Sequence, residues 1–159
     1  MPFWLAAATP YGAGQAGAAE SSISAGVAVV DITPPIGYRM EGYFSERLST
    51  GTHDPLQAKA IVFRQGDEQA ALVVCDLCAI NAAVTGPARA RAEEKTGIPA
   101  SHILIAATHT HTGPLYFGGL REHFHRKAVA KDGIDPCERI DYAAFLTEKL
   151  VEAIAGAQA

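Results

Sequence analysis

The densest chemistry in the chain lies in Ala107-Thr108-His109-Thr110-His111-Thr112-Gly113-Pro114, where two histidines stand one residue apart. The apolar run His102 to Thr108 leads directly into them. In extended chain, residues i and i+2 point to the same side, so His109 and His111 are expected to share a face. Two imidazoles so placed can grip one metal ion, or one can ligate while the other handles protons. Gly113-Pro114 then turns the chain and leaves the rings uncovered. Open α/β sheets bind ligands outside the carboxyl ends of their strands, where this segment falls. A pair of idle surface histidines is the bland alternative, and the spacing before Gly-Pro favours function.

A third histidine stands in Gly51-Thr52-His53-Asp54-Pro55-Leu56, just before an expected strand. Asp54 could orient an imidazole, although adjacent side chains more often point apart. Alone, Asp54-Pro55 reads equally well as a turn beside an exposed His53. Taken with the histidine pair, a metal site of His53, His109 and His111 becomes the expectation. Zinc suits imidazole ligands and keeps an open position when it is catalytic.

Other reactive residues carry less. Cys75-Asp76-Leu77-Cys78 has CxxC spacing, but a redox pair should open a helix, and this one ends an apolar strand. Buried, inert cysteines are expected. Asp76 could reach a metal or its ligands, or merely cap a turn. His123 and His125 fall in the charge-rich stretch 121–127, which reads as a solvated helix or loop. His102 only flanks its strand. The chain has no G-x-S-x-G elbow, P-loop or H-E-x-x-H.

The elements that must position these residues follow from periodicity and breakers. Gly26 to Ile32 is β-branched and apolar, a buried strand stopped by Thr33-Pro34-Pro35. Residues 36–54 show no period and form a long loop of the kind that often carries function. Leu56 to Gln65 and Ala70 to Leu77 read as a hairpin around Gly66-Asp67-Glu68. A helix is expected to begin at Pro87 and to end at Gly97. Asp141 should cap a last helix with Tyr142, Phe145, Leu146, Leu150 and Ile154 on one face and Glu148 and Glu152 outside. Strands alternating with helices predict an α/β or α+β fold: a layered mixed β-sheet flanked by helices, forming an incomplete domain.

The 159 residues allow one folded unit, and 48% apolar against 19% charged residues exclude a disordered chain. A net charge of −4 gives no basic excess to hold phosphates, which argues against nucleic acid as a partner. Apolar runs are too short for a transmembrane span. Three cysteines are too few for a disulfide scaffold. Residues 1–25 differ from the rest. Pro2 to Ala8 is apolar and Ala16-Gly17-Ala18 has small-x-small form, so a signal or disordered N-terminal segment is expected, with a secreted or periplasmic destination. The basic start of such a leader is missing, and the alternative is a frayed terminus of a cytoplasmic protein. Gly12 to Gly17 also matches G-x-G-x-x-G, with Asp31 downstream, but no clean strand precedes it and Ser21, Ser22 and Ser24 disfavour the helix it needs.

Three segments in order resemble the N-terminal domain of the neutral/alkaline non-lysosomal ceramidase family. They are Gly26 to Pro35 (GVAVVDITPP), Gly51 to Leu56 with Ala58 and Ala60, and Thr108 to Pro114 (THTHTGP). The resemblance runs from about Gly26 through Pro114, and residues 26–159 are then the N-terminal part of a ceramidase-like metallohydrolase. It implies a zinc amidase cleaving the N-acyl bond of ceramide or a related lipid-like amide. It implies His53 as one zinc ligand and one histidine of the His109/His111 pair as a second, the other serving a proton or substrate. The family's glutamate and tyrosine ligands lie far downstream of this segment, so the remainder of the enzyme is expected to be missing from this chain, and the 159 residues alone to be inactive. Tyr43, Phe44, Tyr116 and Phe117 could flank a lipid, or simply pack. Two alternatives stand beside this reading: a non-catalytic metal-binding or interaction fragment, and a related hydrolase acting on another amide or ester.

Overall fold

In the computed structural model, residues 22–158 are described. The leader-like run and the glycine pattern at 12–17 lie outside them. Four strands form one sheet in the order β1 (Ile23–Asp31), β2 (Gln57–Gln65), β3 (Glu68–Cys75) and β4 (Ile103–Ala107). The first two pairings are antiparallel and β3–β4 is parallel, which makes the sheet mixed and the fold α/β, as expected. Three helices accompany it: α1 (Ala82–Thr96), α2 (Gly118–Asp132) and α3 (Tyr142–Ala157).

β2 and β3 close as a hairpin because Gly66, at φ +60°, takes the first of two turn positions between the paired Gln65 and Glu68. The parallel pair needs a crossover, and α1 supplies it. The helix does not begin at Pro87. Asn81 starts it, its side-chain oxygen accepting the Val84 amide at 3.2 Å. Pro87 sits inside, where its missing N–H costs the helix one hydrogen bond. Gly97, at φ +75°, ends the helix in the left-handed cap its type predicts.

Asp141 caps α3 through the Ala144 amide at 3.0 Å, and Tyr142, Leu146, Leu150 and Ile154 are buried on its inner face. α3 lies against β1, with Gly156 facing Ala28 so closely that an added methyl would stand 3.2 Å from the Ala28 Cβ. Glu148 on its outer side pairs with Arg91 of α1 at 2.5 and 2.7 Å. Strand alternation sends Ala58, Ala60, Val62, Ala71, Val73 and Cys75 into this core. The opposite face presents Val27, Val29, Phe63, Leu72 and Leu104 to solvent.

Residues 38–48 form a loop pinned by one arginine. The Arg39 side chain is 1% exposed and pairs with Glu46 at 2.7 Å, Asp135 at 2.6 Å and Glu138 at 3.4 Å. Arg121 and His125 of α2 close the same network on Glu138 and Asp135. Beside it the Leu115 amide donates to the Arg39 carbonyl at 2.8 Å, and the Glu41 amide to the Gly113 carbonyl at 2.9 Å. The loop therefore lies along the segment that follows the histidine pair.

Candidate metal centre

The histidine pair sits where β3 and β4 end side by side. The ladder continues past both strands: the Thr108 amide donates to the Cys75 carbonyl and the His109 amide to the Leu77 carbonyl, each at 2.9 Å. Cys78 thereby comes to lie beside His109. The two rings do meet, with centroids 5.1 Å apart at 77°. The reason differs from the one expected. The chain is not extended here; His109 has φ +66°, the one non-glycine left-handed residue among those described, and the backbone turns between the rings. A histidine held in this region stores strain that its surroundings must overcome, a recurrent property of functional sites.

The surroundings are specific. His109 Nδ1 lies 2.8 Å from the Cys78 carbonyl oxygen, which can only accept, so Nδ1 carries the proton and Nε2 the free lone pair. Cys78 Sγ is 3.7 Å from the same nitrogen. One ligand atom each from Cys78, His109 and His111 lie within 4.8 Å of one another. Two imidazoles and a thiol are a donor set that zinc accepts. On the far side, Gly42 at φ +97° supports the His111 ring, and the Tyr43 ring meets it edge-on at 5.8 Å. The Arg47 guanidinium covers Tyr43, 3.8 Å from the ring centroid.

Glu41 belongs to the same corner. Its Oε2 is buried without a hydrogen-bond partner, the one such side-chain oxygen or nitrogen among the described residues. Burial pushes its carboxyl upward, and the nearby His109 acts the other way. Burial, then the Glu41 charge, raises the Cys78 thiol. Burial likewise raises the Tyr116 phenol, with Glu41 adding to it. An orphaned buried carboxylate oxygen is costly unless a cation meets it.

Not every expected residue joins this centre. His53 is almost fully exposed and bonds through Nδ1 to Asp54 Oδ2 at 2.8 Å, so these neighbours do not point apart. It borders a groove of ≈ 540 Å³ together with Met40, Arg47, Leu48 and Thr112, next to the pair rather than within the cluster. Asp76 accepts from the Gln57 amide and from Lys59 Nζ, both at 3.1 Å, and so ties the end of β3 to the start of β2, outside the cluster. Cys75 is fully buried with its thiol pushed up to about 12, first by burial and then by Asp76. His125 lies on α2 in the Arg39 network, bonded to Asp135 at 2.9 Å. Tyr116 packs in the core against Phe117 and Tyr142, while Phe44 stands fully in solvent.

Cys78, Glu41 and Gly42 were not expected. Cys78 was legible in principle: a residue just past one parallel strand must neighbour residues just past the next. Glu41 reaches the site only through the loop that Arg39 pins, and no local pattern announces it.

Compared with known proteins, the fold resembles solved ceramidases. It superposes on neutral ceramidase from Pseudomonas aeruginosa with a TM-score of 0.67 and 27% identity, over 87% of this chain and 22% of that one. A ceramidase complexed with C2 gives a TM-score of 0.66 and 27% identity, over 87% and 21%. The chain thus spans about a fifth of the length of these enzymes. No protein-family model and no curated protein sequence matches it.

Proposed function

We propose that this chain is part of a zinc-dependent hydrolase of the neutral ceramidase kind, acting on the N-acyl amide bond of ceramide or a related lipid amide. The observation that carries the reading is the fit of nearly the whole chain to neutral ceramidase with the histidine pair at the shared end of β3 and β4. One imidazole of the His109/His111 pair would hold the zinc, with His53, at the neighbouring groove, as the other ligand that the resemblance implies.

A bound zinc ion supplies Lewis-acid polarisation of an amide carbonyl and activation of water. The residues of the chain do the rest. The Cys78 carbonyl fixes the His109 tautomer, which leaves the Nε2 lone pair to ligate or to take a proton. The imidazole of the pair that does not ligate stands beside the one that does, ring centroids 5.1 Å apart, and would hand a proton to the leaving amine. Tyr43 braces His111, and the exposed Phe44 offers apolar surface to an acyl chain. Secretion belongs to the same reading, with residues 1–25 as leader; N-terminal sequencing of exported protein that retained Met1 would refute it.

The test is hydrolysis of a ceramide by the enzyme containing this chain and its downstream continuation. Activity should vanish on chelation, return with zinc, and fall in His109→Ala and His111→Ala while His123→Ala retains it. Zinc-independent turnover would overturn the proposal. The 159-residue chain by itself should not turn over ceramide.

A further inference from the structure

We propose that Arg47 is a specificity residue: it forms a subsite for an anionic group, a carboxylate or a phosphate, on the amine side of the lipid amide. This rests on the ceramidase-like reading of the neighbouring histidine pair and names the substrate class within it. The acyl half of such a substrate is hydrocarbon, so the charge belongs to the amine half. Hydrolysis adds water across the C–N bond and leaves a fatty acid and an amine that keeps its acidic group.

Arg47 is held at both ends. Its carbonyl accepts the Met40 amide at 2.8 Å, and its guanidinium carbon stands 3.8 Å from the centroid of the Tyr43 ring. A guanidinium over a ring spends its face on the contact, while its N–H donors lie in the plane of the group and stay available to fork onto an oxyanion. Tyr43 in turn meets the His111 ring edge-on, 5.8 Å between centroids. One side chain therefore separates the cation from the histidine pair. A cation so placed suits an acidic group only a few bonds from the amide nitrogen.

The charge is uncommitted. Glu46, the preceding residue, pairs with Arg39 at 2.7 Å, and Arg47 has no carboxylate partner among the described residues. Arg39, Arg91 and Arg121 each meet a glutamate instead. Arg47 borders the groove of ≈ 540 Å³ beside the pair, a volume that suits a small head group. The Thr50 and Thr52 hydroxyls on its wall make no hydrogen bond within the described residues and can donate to the same oxyanion. Met40 and Leu48 give the groove an apolar side for the substrate's carbon. Asp54, the one acid that borders it, is bonded to His53 Nδ1 at 2.8 Å.

Matched octanoyl amides are the probes: N-octanoylglycine carries a carboxylate, N-octanoyl-O-phosphoethanolamine a phosphate, and N-octanoylethanolamine no charge. In calorimetric titration of the purified 159-residue chain, at least one acid should bind about tenfold more tightly than the neutral amide, and salt should shrink the advantage. The tighter acid identifies the source of the anion. Arg47→Ala should bring both acids down to the neutral amide, and Arg47→Glu should place them below it. Arg47→Lys should recover part of the advantage, because an ammonium keeps the charge without the fork. Arg47 is exposed, so these variants should keep the fold, which circular dichroism checks. Equal binding of acidic and neutral amides, an advantage that survives Arg47→Ala, or no binding of any probe overturns the proposal. In the complete enzyme, the ratio of kcat/KM for acidic over neutral amides should fall about tenfold in Arg47→Ala. Ceramide turnover with no preference for the acidic amides overturns this inference and leaves the proposed function standing. Acid-selective binding in a complete enzyme that cuts no amide sinks only the proposed function.

Discussion

Gly42 stands directly against the His111 ring: a methyl group on its Cα would come within 2.7 Å of His111 Cβ and Nδ1, and closer still to Cγ. Its φ of +97° also lies outside the range L side chains favour. Gly42→Ala should therefore cost at least about 1 kcal/mol of stability from backbone strain alone. It should also displace His111 and weaken cation binding. Urea denaturation and cobalt titration of the same variant measure both. A normal His111 environment in the variant, read by NMR, would show that the loop yields without moving the ring.

Among the described residues Arg39 is the one cation that bridges all three of Asp135, Glu138 and Glu46, and its side chain is 1% exposed. Arg39→Ala removes the buried cation between Asp135 and Glu138, leaves them only the more exposed Arg121 and His125, and should destabilise the fold by ~3 kcal/mol. With the Glu46 and Asp135 contacts of the side chain gone, the 38–48 loop should loosen and carry Glu41 and Gly42 away from the histidine pair. Arg39→Lys should recover only part of the stability, since one ammonium does not span three carboxylates. Equal stability of wild type and Arg39→Ala in urea would refute the anchoring role.

Acid should attack the same network. Burial opposes the ionised Asp135, but Arg39, the Cys137 amide and His125 outweigh it and hold the carboxyl below the ordinary value of 3.8. A group whose folded value is depressed stabilises the protein above its unfolded value and loses that contribution as pH falls through the folded one. Stability should then be flat above about pH 5 with respect to this group and decline below about pH 4. Asp135→Asn should be less stable at neutral pH and show a shallower acid slope. Thermal melts across that range compare the two slopes directly.

Native thiol chemistry tests whether Cys75 and Cys78 act as a redox pair. Cys75 is buried with its thiol pushed up to about 12, burial raises Cys78, and Cys137 is the least covered of the three. At pH 8 one of the three cysteines should react promptly with a thiol reagent, and all three after denaturation. Rapid joint reaction of Cys75 and Cys78, or a disulfide between them, would revive the CxxC redox interpretation.

Much of the framework was legible in the residues. The β2–β3 hairpin followed from alternation around Gly66-Asp67, α3 from Asp141 and its apolar stripe, and the fold class from the strand–helix alternation. The histidine pair was legible as a pair, but not its mechanism, because periodicity assumes extended chain and His109 is left-handed. Pro87 misled because a preference for the first helical turn is weaker than a side-chain cap, and Asn81 provides one five residues earlier than a proline start allows. Glu41 and Arg39 escaped altogether. Their partners are remote in sequence, and a buried charge network has no local signature.

The crossover between β3 and β4 fixes the order in which the centre can form. The β2–β3 hairpin closes through a two-residue turn, whereas β3 meets β4 only after residues 76–102 have looped back through α1. Closing the longer loop costs more entropy before any contact rewards it. Cys78 therefore waits at the end of an early strand, and the two histidines arrive with a late one. A cation held at the histidine pair should leave the refolding rate unchanged and slow unfolding, because the β3–β4 pairing that positions the pair forms late. Stopped-flow refolding with and without cobalt would read this as a shift confined to the unfolding limb.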